Sequence, residues 1–156
     1  MRRWIVLLFT HAGMLAVGFA AGIYLLPILT APAGPDSAML AAAEKSALYK
    51  TEFKRELKGS DFFHWGKGKV SVSAKTIAHE GELAPGPNYK LYLTKTFVED
   101  EDQFQEIKAQ AKVVGDVRSF DGFILDVPDG VDIEAYTTLV VWCEAFNEFI
   151  TAAKYR

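Results

Sequence analysis

YTTLVVWC, residues 136–143, decides how this chain is read. Its threonines and valines are β-branched, and Tyr136 and Trp142 are aromatic, so the segment favours extended backbone. From Leu139 onward no polar residue alternates with the apolar ones. Both faces of the strand must then be covered, which predicts a central position in a sheet. Working back from it, Phe123, Leu125 and Val127 alternate, and Pro128-Asp129-Gly130 turns the chain. Lys112 to Val117 is a further strand interrupted by Gly115. Tyr89, Leu91 and Leu93 alternate with Lys90, Tyr92 and Thr94 as a half-buried strand, entered through the turn cluster Ala84-Pro85-Gly86-Pro87-Asn88. Short strands are also predicted at Thr76–His79, at Val70–Val72 and around Phe53, Arg55 and Leu57. Beyond residue 143, Phe146, Phe149 and Ile150 supply a last apolar segment. One stretch breaks the pattern. Phe104, Ile107 and Ala111 share a helical face over Glu99–Gln110, and the acidic run Glu99–Asp102 sits at its start, where a helix favours negative charge. Many short strands between turn residues predict a mainly β domain, an antiparallel β-sandwich or barrel-like fold.

The other end of the chain is different in kind. Residues 4–35 carry no Asp, Glu, Lys or Arg. Trp4 to Leu29 as a helix would be roughly 39 Å long, against a hydrocarbon core of about 30 Å. Arg2 and Arg3 precede it, so the positive-inside tendency keeps the N-terminus cytoplasmic and sends the rest across. The chain is read as a single-pass membrane protein: a signal-anchor over residues 1–30 crossing the bilayer with residues 4–29, and a periplasmic or extracellular domain. Ala31-Pro32-Ala33 resembles a signal-peptidase site, and a cleaved leader would put the domain in the same place. Gly18 and Gly22 form a GxxxG pair, a close-approach face for a homodimer. Residues 31–58 are read as a linker, with a stalk helix from Ser37 to Lys50 and the first strand. Residues 59–156 are the β domain.

Composition narrows the functions further. The whole chain has 17 basic and 20 acidic residues, a net charge of −3. Only Arg2 and Arg3 of these lie before residue 36, so the remainder carries 15 basic and 20 acidic residues, net −5. No nucleic-acid partner is implied, since that binding needs clustered Lys and Arg. One cysteine excludes an internal disulfide and a Cys-rich zinc site. No metal site or cofactor motif is evident, and no nucleophile elbow, P-loop or haem-attachment motif occurs.

Three segments resemble a known family. APGPNYKLYL (84–93), VGDVRSFDGFILDVPDGVD (114–132) and TTLVVWCEAFNEF (137–149) are similar to the Gly-Pro, central and closing Trp-Cys signatures of the DM-thirteen domain, also called the electron-transfer DM domain. Gly68 with Val70 resembles its early strand. The order and spacing agree over roughly residues 59–153. The resemblance implies a redox or electron-transfer accessory whose candidate group is Cys143, acting with an unknown protein or redox partner. A non-catalytic binding or scaffold module at the cell envelope is the alternative. A reactive thiol needs solvent access and thiolate character, whereas a cysteine in an apolar strand is ordinarily a small packed hydrophobe. Trp142, on the opposite strand face, is a lesser candidate as a relay. So is His64, in the aromatic, Gly-bounded stretch Phe62–Gly68, as a base or ligand. His79 reads as a hydrogen-bonded strand histidine.

Overall fold

The computed structural model describes residues 2–156. Two helices come first, α1 (Arg2–Thr30) and α2 (Ser37–Ser46). The strands follow as β1 (Tyr49–Phe53), β2 (Gly66–Val72), β3 (Thr76–Leu83) and β4 (Tyr89–Thr94), then helix α3 (Glu101–Ile107), then β5 (Lys112–Val117), β6 (Phe123–Asp126), β7 (Thr138–Cys143) and β8 (Glu148–Lys154). They form two open four-stranded antiparallel sheets, ordered β1-β2-β3-β6 and β5-β4-β7-β8. The architecture is β-sandwich-like, as the alternation and turn spacing predict.

β7 holds the position its sequence demands. It lies between β4 and β8, and all six of its residues are buried. Leu139, Val141 and Cys143 face the other sheet and join Val70, Val72, Ile77, Leu91 and Leu93 in the inter-sheet core. Val140 and Trp142 point the opposite way, into a second cluster with Tyr92, Phe104 and Phe149 beneath α3. That helix begins at Asp100, whose carboxylate accepts from the Gln103 N–H at 2.9 Å and pairs with Lys58 at 2.5 Å. The second cluster corrects the half-buried reading of β4. Tyr92 and Thr94 are covered as well as Leu91 and Leu93, because α3 and its approach close the outer face.

Four local readings also change. The alternation around Phe53–Leu57 predicts a strand there, yet the strand is Tyr49–Phe53. Helix α2 stops at Ser46, and the Leu48 N–H donates to the Val72 carbonyl, so β2 captures the chain four residues earlier than its polarity suggests. The stalk helix, shorter than Ser37–Lys50, lies against β2 and β3, and β1 belongs to the first sheet. Gly115 does not break β5. The ladder shifts there, with Leu91 opposite Gly115 and Tyr92 opposite Val113, leaving Val114 as the extra residue of a bulge. β3 also runs past Gly81, which faces Gly68 across the ladder. Gly68 has φ +125, and an added Cβ at either glycine would collide with the backbone of the other strand.

His79 sits fully buried in this sheet between the rings of Phe53 and Phe123, with centroids 5.1 and 5.2 Å away. Its Nε2 donates to the Lys67 carbonyl at 3.0 Å, which makes Nδ1 the bare nitrogen, and Nδ1 has no partner. Burial lowers its pKa from 6.5 to about 4, only partly opposed by that hydrogen bond. The folded state therefore binds fewer protons here than the unfolded chain. The stabilisation is full above pH 6.5 and is lost as pH falls toward 4. The loss amounts to roughly 3 kcal/mol. Denaturant titrations of wild type and His79→Phe from pH 7 to pH 4 are expected to show the wild type losing about that much more. Parallel pH profiles would contradict the assignment.

Candidate functional site

Two turns build one pole of the sandwich. The Ala84–Asn88 cluster leads into β4, and residues 144–147 link β7 to β8. Each turn carries an asparagine in the left-handed region, Asn88 at φ 55 and Asn147 at φ 57, a conformation asparagine accepts more readily than most residues. The Glu144 N–H donates to the Asn88 carbonyl at 3.0 Å and ties the turns together. Register then sets Tyr89 directly opposite Cys143.

At this pole lies a cavity of about 260 Å³, walled by Cys143, Tyr89, His64, Phe63, Phe146 and the Pro85–Pro87 turn on the domain side. Ile23 and Tyr24 of α1 close it from the other side. Cys143 and His64, two of the residues singled out from sequence, therefore meet at one pocket. Trp142 does not reach it. Trp142 is fully buried in the cluster under α3, its ring 4.9 Å from that of Phe104 and beneath the Lys108 ammonium at 5.1 Å. Its indole N–H has no partner.

The Cys143 thiol is 2% exposed and donates to the Pro87 carbonyl at 3.1 Å. Burial raises its pKa above the ordinary thiol value, and the Glu148 and Glu144 carboxylates add to the rise. The backbone N–H groups of Phe146 and Ala145, directed at the sulfur by the turn, oppose it without overcoming it. At neutral pH the group is a thiol with two donors already aimed at the thiolate it would become.

His64 is held by Asp61. The Asp61 carboxylate accepts from the Phe63 and His64 N–H groups at 2.6 and 2.7 Å, and its other oxygen lies 2.9 Å from His64 Nδ1. Burial acts to raise the pKa of Asp61, but the hydrogen bonds from His64 and from these N–H groups prevail and hold it below the usual carboxylate value. With Nδ1 engaged, Nε2 is the ring nitrogen left for other contacts. Next to the site, Glu144 accepts from the Tyr92 hydroxyl and pairs with Lys108 at 2.9 Å. That network belongs to the α3 side and braces the turn from behind. Among the described residues no three His, Cys, Asp or Glu side chains converge as a metal site would need.

Sequence reasoning passed over Tyr89, Phe146, Pro87 and Tyr24. The Gly-Pro cluster reads only as a turn, and nothing local marks Tyr89 as the neighbour of Cys143. That fact lives in the β4–β7 register. Phe146, three residues from the cysteine, reads from sequence only as part of the last apolar segment, and its 51% exposure sets it apart from the buried Phe149 and Ile150.

A β-sandwich with one buried thiol at the pole of its central strand is the class of domain these observations define. Over residues 52–155 the chain matches the family model described as Electron transfer DM13, and it belongs to that family. Neither the curated proteins nor the solved structures hold a significant match to the chain.

The raised pKa has a kinetic consequence. Alkylation of the native chain by iodoacetamide is expected to be slow at pH 7 and to keep accelerating with pH after the rate for the unfolded chain has levelled off. The same shift carries stability that is present below the unfolded thiol pKa and lost as pH rises through the folded one. A native rate equal to the unfolded rate at pH 7 would contradict this picture of the site.

Proposed function

We propose that this chain is a membrane-anchored, extracytoplasmic redox accessory in which Cys143 is the group that changes oxidation state. The observation that carries the reading is the position of its sulfur. Cys143, although 2% exposed and packed in the inter-sheet core, also lines a cavity of about 260 Å³ shared with His64. With no second cysteine in the chain, its oxidised form is a sulfenic acid or a mixed disulfide. The sulfenic acid fits a pocket of this size. In that step a hydroperoxide ROOH meets the thiol, the S–O bond forms as the O–O bond breaks, and the thiol proton leaves with the alcohol ROH. Sulfur loses two electrons and the peroxide gains them. Two equivalents of a small thiol return Cys143 to its starting state, yielding one disulfide and one water. The Ala145 and Phe146 N–H groups stabilise the sulfur anion as it forms, and His64 Nε2 is the base nearest in kind to the task.

The anchor is α1, long and apolar enough to cross a membrane. Arg2 and Arg3 favour a cytoplasmic N-terminus. Gly18 and Gly22, with open space beside both, offer a face for a second copy of the helix. A second reading has its own support. The 2% exposure of Cys143 and its bond to Pro87 suit a packed thiol in a non-catalytic binding or scaffold module.

One experiment separates the two readings. The full chain in lipid nanodiscs is treated with a hydroperoxide and then with dimedone, and the adduct is located by mass spectrometry. An adduct on Cys143 under native conditions, absent from Cys143→Ser, is the expected result. An adduct that appears only on unfolding would leave the scaffold reading. For topology, a reporter active only outside the cytoplasm is expected to be active when fused after Arg156. Activity confined to the cytoplasm would reverse the assignment.

A further inference from the structure

Along α1 every described residue from Arg2 to Gly22 is exposed. The first that is not is Ile23, followed by Pro27, Ala31 and Gly34. These positions put one face of the last helical turns, and the exit from them, on the domain. Tyr24 meets Phe63 edge-on at 6.0 Å, and Ile23 and Tyr24 wall the Cys143 cavity. Leu26, Pro27 and Thr30 line a neighbouring cavity of about 410 Å³ with Asn88, Val117 and Phe120. An added Cβ at Gly34 would strike the Asp121 carbonyl.

The length arithmetic fits this division. Counted from Trp4, the residues up to Gly22 make a helix of roughly 28 Å, close to the ~30 Å hydrocarbon thickness. The turns left over are the ones seated on the domain. Around them stand aromatic side chains that the sandwich leaves uncovered: Phe62 at 78%, Phe63 at 52% and Phe146 at 51% exposure. A ring touching Tyr24 lies about 9 Å along the helix axis from Thr30, back toward the hydrocarbon. The nearby charged groups include Asp116 paired with Arg118 and Lys90 and Asp61 paired with His64, together with the carboxylates of Asp121 beside Gly34 and Glu148 near Cys143. Arg118 is long and exposed, suited to reaching lipid phosphate.

We infer that Phe62, Phe63 and Phe146 insert into the headgroup–glycerol layer of the bilayer that holds α1, so that the Cys143 pocket opens at the membrane surface and not into bulk water. The inference rests on the anchoring reading, and the test separates the two. In a Cys143→Ala background, Phe62→Cys, Phe146→Cys, Val17→Cys and Lys95→Cys are each labelled with an environment-sensitive fluorophore in the full chain, in vesicles. All four positions are exposed. Lys95 follows β4 at the end remote from Tyr89. Lipids carry a nitroxide either high on the acyl chain or near its end. The expected result is a blue shift and loss of most emission at 62 and 146 with the shallow nitroxide, stronger quenching of 17 by the deep one, and none at 95. Quenching at 17 with 62 and 146 as bright as 95 would overturn the insertion while leaving the anchor in place. No quenching at 17 would overturn the anchor and the insertion together.

Discussion

The pairing of β7 with β4 is the constraint on which the rest depends. β7 is covered on both faces and paired on both edges, so its register is fixed on every side. A slip of one residue would exchange the two clusters it feeds, sending Trp142 toward the inter-sheet core and Cys143 under α3. The bulge between Val141 and Trp142 serves the same order. Val141 faces Thr151 and Trp142 faces Phe149, so Ile150 is the extra residue. Ile150 turns into the inter-sheet core while Phe149 stays with Trp142. The position of the thiol is thus a by-product of where the largest aromatic side chain has to go.

That constraint also explains why the site lies at a pole. β7 ends at Cys143 and β4 begins at Tyr89, so the last inward-facing residue of one strand meets the first of the other. Beyond this pair the chain must turn, and the two turns supply what a strand interior cannot: backbone N–H groups free of the ladder. Two of these, on Ala145 and Phe146, face the sulfur. Burial and the nearby carboxylates push the thiol pKa up while these dipoles pull it down, and burial prevails at rest. A thiol held in this balance stays protonated at neutral pH.

The sequence made the fold class legible because the strands obey simple periodicity and the turns are written in Gly, Pro, Asn and Asp. β7 was readable from its unbroken apolar run, and α3 from Phe104, Ile107 and the acids before it. Hidden were features set by partners. β1 begins at Tyr49 because β2 offers a ladder there, although the polarity of Phe53–Leu57 suggests a later start. Gly115 looks like a break and is the neighbour of a bulge. At the site, Cys143 and His64 could be nominated by residue type, but their common cavity depends on a turn at Asp61 that folds His64 back by side-chain hydrogen bonds. Tyr89 could not be nominated, since an aromatic opening a strand is ordinary core.

α1 joins these levels. A helix whose only work is to cross a bilayer has no reason to bury one side of its outer end. Here Ile23, Pro27 and Ala31 are half-buried along one face, while the residues before them are exposed all round. Pro27 fits the same division, because the carbonyls its ring leaves unpaired in the preceding turn are easier to satisfy near polar groups than in hydrocarbon. The helix therefore changes surroundings along its length, from an apolar part exposed all round to a part that the domain and its pocket share. A pocket with one wall contributed by such a helix cannot be parted from it without losing that wall, so the seating of α1 and the geometry of the site are the same structural fact.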